Sequence, residues 1–193
     1  MEFVELANLP TKIEKLDRLT RKLGKSNIYI KRDDQTGTEI SGNKIRKLEY
    51  AVKEALDQGC DYLITCGGIQ SNHARATAAI AAKLGLKSYL ILRDKGEAKT
   101  NGNLFMNNLF GAKIRYVTEN EFSNSRQEIM EEVKEELKRE GHKGYIIPVG
   151  ASNGIGTFGY YKAMEEIIAQ EKSLGIKFDA IVTTIGSGGT YAG

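Results

Sequence analysis

The sequence predicts an α/β fold, with parallel sheet covered by helices on both faces, and three observations carry that reading. From Asp61 onward, short apolar runs alternate with longer segments of helical periodicity. Runs such as Tyr62-Leu63-Ile64-Thr65 read as buried strands. Clusters of Gly, Ser, Thr and Asn fall directly after strands, at 67–72, 150–157 and 185–190. Strand, helix and strand in this rhythm imply right-handed crossovers and a parallel sheet, which binds ligands at the carboxyl ends of its strands.

Taken in order, Asn8-Leu9-Pro10-Thr11 reads as a helix start before Ile13, Leu16, Leu19 and Leu23, with Gly24 as the stop. Ile28-Tyr29-Ile30-Lys31-Arg32 is a short strand. Asp33-Asp34-Gln35-Thr36-Gly37-Thr38 is a loop whose adjacent carboxylates read as solvated turn formers, and no metal site is expected. Ser41-Gly42-Asn43-Lys44 is a glycine turn that delivers Lys44 into the first turn of a helix. Ile45, Leu48, Val52, Ala55 and Leu56 form one face of that helix, Lys47, Lys53, Glu54 and Asp57 the other, and Gly59 ends it. Beyond Asp61 the expected elements are an alanine-rich helix at 71–84, a strand at 88–92, a helix at 101–110 and a strand at 114–117. One long helix follows, marked by Phe122, Ile129, Met130, Val133 and Leu137, then a strand at 145–147, a helix at 157–174 and a strand at 180–185. No internal repeat, low-complexity segment or linker interrupts them.

Composition narrows the function classes. The 193 residues are 40% hydrophobic and 27% charged, ordinary for a globular protein that buries a core. A net charge of +3 with interspersed signs gives no sustained basic patch for nucleic acid. No run approaches the roughly eighteen apolar residues of a membrane span, and Met1-Glu2-Phe3-Val4-Glu5-Leu6 lacks a signal-peptide pattern, so the expected location is the cytoplasm. Cys60 and Cys66 fit neither a disulfide framework nor a CxxC pair and read as free buried thiols.

The chemistry-bearing residues sit at the turns. Lys44, near a helix N-terminus and beside Arg46 and Lys47, is placed where its protonated form is disfavoured, and a neutral amine is what Schiff-base chemistry with a carbonyl requires. A solvated lysine in a basic turn is the plain alternative. Ser187-Gly188-Gly189-Thr190 has the glycines and hydroxyls to wrap a phosphate, against the alternative of a tight turn with no ligand. A dinucleotide loop is disfavoured, because Tyr191 stands where the third glycine would be. Ser71 is a fair N-cap for the alanine-rich helix, which could be its whole role. The glycine loop 150–156 lies in line with the other two as a candidate rim of the pocket, with no named role.

Three strings in order, Ser41-Gly42-Asn43-Lys44-Ile45-Arg46-Lys47-Leu48-Glu49-Tyr50, Cys66-Gly67-Gly68-Ile69-Gln70-Ser71-Asn72-His73-Ala74-Arg75 and Gly186-Ser187-Gly188-Gly189-Thr190-Tyr191-Ala192-Gly193, resemble one family. It is that of the pyridoxal-phosphate enzymes of the tryptophan-synthase-β fold type (fold type II), in the branch of D-cysteine desulfhydrase and 1-aminocyclopropane-1-carboxylate deaminase. The resemblance implies pyridoxal 5′-phosphate as cofactor, bound through Lys44, with its phosphate on Ser187, Gly188, Gly189 and Thr190 and its ring hydroxyl on Asn72. It implies that the amides of Ser71, Asn72 and His73 receive the carboxylate of a small amino-acid substrate. Ser71 and the freed Lys44 would move protons near the α-carbon. His73 departs from the deaminase pattern towards the desulfhydrase side, and its side chain is assigned packing rather than catalysis.

The resemblance further implies a homodimer and a division into a large-domain N-terminal segment (1–47), a small α/β domain (48–156) and the first part of a C-terminal large-domain segment (157–193). D-cysteine desulfhydrase is the favoured activity, a β-elimination giving pyruvate, ammonia and hydrogen sulfide. The cyclopropane deaminase is one alternative, and an inactive cofactor-binding fragment is another. The last motif stops at Gly193, before the helix expected to follow it, so an incomplete, poorly active chain is expected.

Overall fold

In a computed structural model of the chain, residues 1–24, 26–37, 42–96 and 99–193 are described. Thr38 of the acidic loop and Ser41 of the lysine turn lie outside them. The elements run β1 (Ile13–Lys15), α1 (Asp17–Leu23), β2 (Tyr29–Lys31), α2 (Lys44–Asp57), β3 (Tyr62–Gly68), α3 (Asn72–Lys83), β4 (Lys87–Arg93), α4 (Gly102–Leu109), β5 (Lys113–Val117), α5 (Glu119–Asn124), α6 (Arg126–Arg139), β6 (Gly144–Ile146) and α7 (Gly154–Leu174). Short 3-10 turns stand at Asp33–Gln35 and Val149–Ala151.

β3, β4, β5 and β6 form a parallel sheet in the order β5-β4-β3-β6, with Ile64 opposite Tyr89 and Ile146. Alternation along the strands divides the core. Leu63 faces Ile45, Leu48, Val52 and Ile80 of α2 and α3, whereas Tyr62, Ile64 and Cys66 face Met130, Val133 and Leu137 of α6. Leu90 and Leu92 of β4 meet the alanines of α3 and Leu104 of α4. Helices thus cover both faces, as the apolar strands require. Cys60 and Cys66 are buried and unpaired, and burial pushes the Cys66 thiol up to about 11.

Three expectations are corrected. Ile13 starts no helix: residues 13–15 pair antiparallel with β2, Ile13 opposite Lys31, and α1 begins only at Asp17, where an acidic side chain suits a first turn. The long helix is two, because Ser125 leaves helical geometry (φ −127°, ψ 7°) after the Thr118/Glu121 capping box has started α5. The apolar run 180–185 is not a strand. No neighbouring strand among the described residues offers it a ladder, and Val182 is 96% exposed.

α2 lies against α7 at Gly159, where a Cβ would overlap the Arg46 carbonyl and come within 2.8 Å of the Lys47 nitrogen. Neither backbone group can step aside without moving α2. Gly159→Ala is therefore expected to lower the unfolding free energy by about 2–3 kcal/mol in a urea titration.

Candidate cofactor site

Lys44 is the first residue of α2, preceded by Asn43 and by Gly42 at φ +141°. Its Nζ donates to Asn43 Oδ1 at 3.1 Å, and Asn43 Nδ2 donates to Thr190 Oγ1 at 3.3 Å. One amide thus joins the lysine to the 187–190 loop. Burial lowers the Lys44 pKa, so a larger share of neutral amine is present than on an exposed lysine.

The expected contribution of the Arg46 charge to that lowering is absent. Arg46 is spent elsewhere, with Nε and Nη2 donating to the two oxygens of Asp33 at 2.9 Å and Nη1 to Glu166 Oε2 at 2.9 Å. Asp33 is accordingly no solvated turn former. It also accepts from Thr11 Oγ1 and the Tyr160 hydroxyl, both at 2.8 Å, while exposed Asp34 pairs with Arg32.

Lys47, expected on the solvated face, is fully buried. Its Nζ donates to Gly150 O at 2.7 Å and Ser152 Oγ at 2.9 Å. Burial first, and then the Lys44 charge, push its pKa down to about 8. Ser152 Oγ lies 2.6 Å from Ser187 Oγ and accepts from the Gly189 amide at 3.3 Å. A Cβ on Gly189 would stand 2.6 Å from both Lys47 Nζ and Ser152 Oγ, so only glycine lets this loop settle over the ammonium. The 150–152 segment, first read as a pocket rim, is the floor on which the 187–190 loop rests.

At the carboxyl end of β3, Ser71 caps α3 by accepting from the Ala74 amide at 3.2 Å. Asn72 and His73 are the first helical residues, so their amides have no partner within the helix. A Cβ on Gly67 would stand 2.6 Å from Ser71 Oγ; glycine lets the strand end approach the cap. The His73 ring is buried, its Nε2 2.8 Å from Thr65 Oγ1, which in turn donates to Ile147 O at 2.7 Å. Burial, then Lys44 and Lys47, push its pKa down to about 3, and the ring is neutral at physiological pH.

The structure therefore gathers Lys44, Ser187, Gly188, Gly189 and Thr190 around α2, with Ser71, Asn72 and His73 on the next helix of the same sheet face. It adds Asn43, Lys47, Ser152 and Asn103, whose Nδ2 donates to Asn72 Oδ1 at 2.9 Å. A sequence signal existed for Lys47, which lies three residues after Lys44 and so on the same side of a helix. None marked Asn103.

A phosphate-bearing aldehyde asks for an amine, an anion cradle and donors for its ring oxygen. Those present are a lysine of lowered pKa, a buried ammonium with no carboxylate partner among the described residues, a glycine loop over it, and the Asn72 amide. The residues fit pyridoxal phosphate.

The family model of the pyridoxal-phosphate dependent enzyme matches residues 4–193. A Pyrococcus abyssi protein, provisionally named 1-aminocyclopropane-1-carboxylate deaminase, is 49% identical over 95% of this chain and 54% of its own length. The mitochondrial bifunctional D-cysteine desulfhydrase/1-aminocyclopropane-1-carboxylate deaminase of Arabidopsis thaliana is 46% identical over 97% of this chain and 49% of its own length. A crystal structure of an ACC deaminase homologue superposes with a TM-score of 0.87 at 43% identity, covering 98% of this chain and 56% of that one. The chain spans about half the length of the curated relatives it matches. On the family match and on a site whose residues fit the cofactor, the chain belongs to the pyridoxal-phosphate dependent enzymes of the tryptophan-synthase-β fold type, and its cofactor is pyridoxal 5′-phosphate.

Proposed function

We propose that these residues form the cofactor-holding part of a lyase acting on a small amino acid, with D-cysteine as the favoured substrate and pyruvate, ammonia and hydrogen sulfide as products. The observation that carries the reading is the pairing of Lys44, an amine of lowered pKa, with Lys47, a buried cation lacking a carboxylate partner among the described residues, on one side of one helix. The Arabidopsis relative, named for both activities, supports the branch. The Pyrococcus relative favours the second reading, opening of the cyclopropane amino acid.

Pyridoxal phosphate, when bound, supplies an electron sink for the bond broken at the substrate's α-carbon. The chain's own residues do the rest. Lys44 Nζ would hold the cofactor at its aldehyde and is the base placed to take the α-proton, and burial lowers its pKa from the ordinary lysine value. The amides of Asn72 and His73 receive the substrate carboxylate at the α3 N-terminus, whereas the Ser71 amide, expected to join them, donates to Gly68 O at 2.9 Å. The Ser71 hydroxyl, held at the cap, moves a proton beside the α-carbon. Asn72 would donate to the ring oxygen, Ser187, Gly188, Gly189 and Thr190 would hold the phosphate, and Lys47 would supply a positive charge to it. The three-part division 1–47, 48–156 and 157–193, a homodimer and a cytoplasmic location belong to the same proposal. No helix among the described residues is long and apolar enough to cross a membrane.

The test is borohydride reduction of the chain after incubation with pyridoxal phosphate. The label is expected on the Lys44 peptide and is expected to vanish in Lys44→Ala; a label retained at another lysine overturns the assignment. For the substrate, D-cysteine is expected to displace the lysine-bound absorption band at a concentration at least tenfold lower than the cyclopropane amino acid does. The reverse order selects the second reading.

A further inference from the structure

The 68–72 turn after β3 is tied to the start of α4, and those ties determine which way one amide points. Gln70 Nε2 donates to Asn101 O at 3.2 Å and to Asn101 Oδ1 at 3.1 Å, and Gln70 Oε1 accepts from the Asn103 amide at 2.8 Å. Gly102, at φ +51°, passes so close that a Cβ would stand 2.6 Å from Gln70 Oε1. At the centre is the Asn103 side chain. Its Oδ1 accepts from Arg75 Nη1 at 2.9 Å, and its Nδ2 donates to Gln70 O at 2.7 Å and to Asn72 Oδ1 at 2.9 Å.

The two ends of an asparagine amide are distinguished only by their partners. Here the partners leave no choice. A guanidinium only donates, so the atom facing Arg75 is the oxygen; a backbone carbonyl only accepts, so the atom facing Gln70 O is the nitrogen. The second Asn103 Nδ2 hydrogen is then directed at Asn72, and the Asn72 atom receiving it must be an acceptor, Oδ1. Asn72 is left to present both hydrogens of its own Nδ2 outward.

We propose that Asn103 is a positioning residue that holds the Asn72 amide with its donor end towards the ring oxygen of the cofactor, selecting a cofactor with an anionic oxygen there. This rests on the cofactor reading above. Without Asn103, Asn72 can turn over and present an acceptor to that oxygen, and a donated hydrogen bond becomes a repulsion between lone pairs. Of the residues assigned to the cofactor, the Asn103 side chain bonds Asn72, through Nδ2 to Oδ1, and its effect on the ring oxygen would pass through that pair.

The experiment measures binding of pyridoxal phosphate and of 3-deoxypyridoxal phosphate, which keeps the aldehyde and phosphate but lacks the ring hydroxyl. Asn103→Asp keeps the acceptor for Arg75 and removes the donor; Asn103→Ala removes both without placing a charge against Gln70 O. Thermal unfolding reports folding of each. Either folded variant is expected to bind pyridoxal phosphate roughly tenfold more weakly, the size of one hydrogen bond to a charged group. Its affinity for the deoxy compound is expected to change less than twofold. In an Asn72→Ala background, Asn103→Ala is expected to add nothing. Equal losses for both compounds, or an additive loss in the Asn72→Ala background, overturn the positioning role while leaving the cofactor reading intact. Failure of the unsubstituted chain to bind either compound overturns both.

Discussion

Lys47→Met is expected to weaken binding of pyridoxine 5′-phosphate about a hundredfold, the loss of a buried charge-assisted contact to a phosphate. That compound has no aldehyde, so it reports the anion cradle without the amine chemistry of Lys44. Methionine fills a similar volume and removes an ammonium that has no carboxylate partner among the described residues, at the cost of the bonds to Gly150 O and Ser152 Oγ. The two effects on stability oppose each other, and the melting temperature is expected to move by only a few degrees. A loss of affinity below threefold by calorimetry would remove Lys47 from the cradle.

The same lysine sets a pH dependence. Its folded pKa is about 8 against an ordinary 10.5, so between those values the unfolded chain holds the extra proton and the stability of the empty protein rises with pH. Below pH 8 the lysine is charged in both states and the burial penalty is fully present. An anion favours the charged lysine, so affinity for pyridoxine 5′-phosphate is expected to be flat from about pH 7 to 8. Above pH 8 it should fall, approaching tenfold per pH unit. In Lys47→Met that fall disappears.

The second large effect concerns the neighbouring residue. Arg46→Met leaves Asp33 and Glu166, both mostly buried, without the guanidinium they share, Glu166 keeping Lys31 as its cation, and is expected to cost about 3–5 kcal/mol. In the unsubstituted chain burial works against the charge of both carboxylates, yet the bonds from Arg46, with Tyr160 and Thr11 on Asp33 and Lys31 on Glu166, hold them below the usual range. That stabilisation is present above the ordinary carboxylate pKa and is lost as pH falls through the lowered values. Without Arg46 the carboxyl pKa values rise, so the variant is expected to gain stability relative to the parent from pH 7 to pH 5; both share the loss that His73 brings there, its pKa of about 3 lying below the ordinary 6.5. Urea titrations at the two pH values check both the size and the sign.

Much of the fold was legible because periodicity and burial agree wherever an element has a partner on both sides. The 62–65 run and the alanine-rich helix were found within a few residues because β3 is flanked by β4 and β6 and α3 packs on that sheet. The misreadings come where tertiary pairing decides. Ile13 falls at helical spacing with Leu16, Leu19 and Leu23, but residues 13–15 take the ladder that β2 offers, and residues 180–185 have strand composition without a ladder among the described residues. The gathering at the site follows the motif glycines and the helix starts, which is local information. Lys47, Arg46 and Asp33 were misplaced because the sequence shows three charges in polar surroundings, while the fold sorts them. It sends one guanidinium to two carboxylates and leaves an ammonium under a glycine loop. Asn103 was invisible because its three partners come from residues about thirty positions away.

The unpaired run at 180–185 bears on how the chain behaves at high concentration. Ile181, Val182 and Ile185 are 55%, 96% and 66% exposed, and the nearest charged residues in the sequence are Lys177 and Asp179. Open backbone groups beside β-branched side chains form a template on which a second extended strand of the same composition can lie down. This run, just ahead of the 187–190 loop, is the stretch from which self-association at high concentration is expected to start, and Val182→Lys is expected to reduce it.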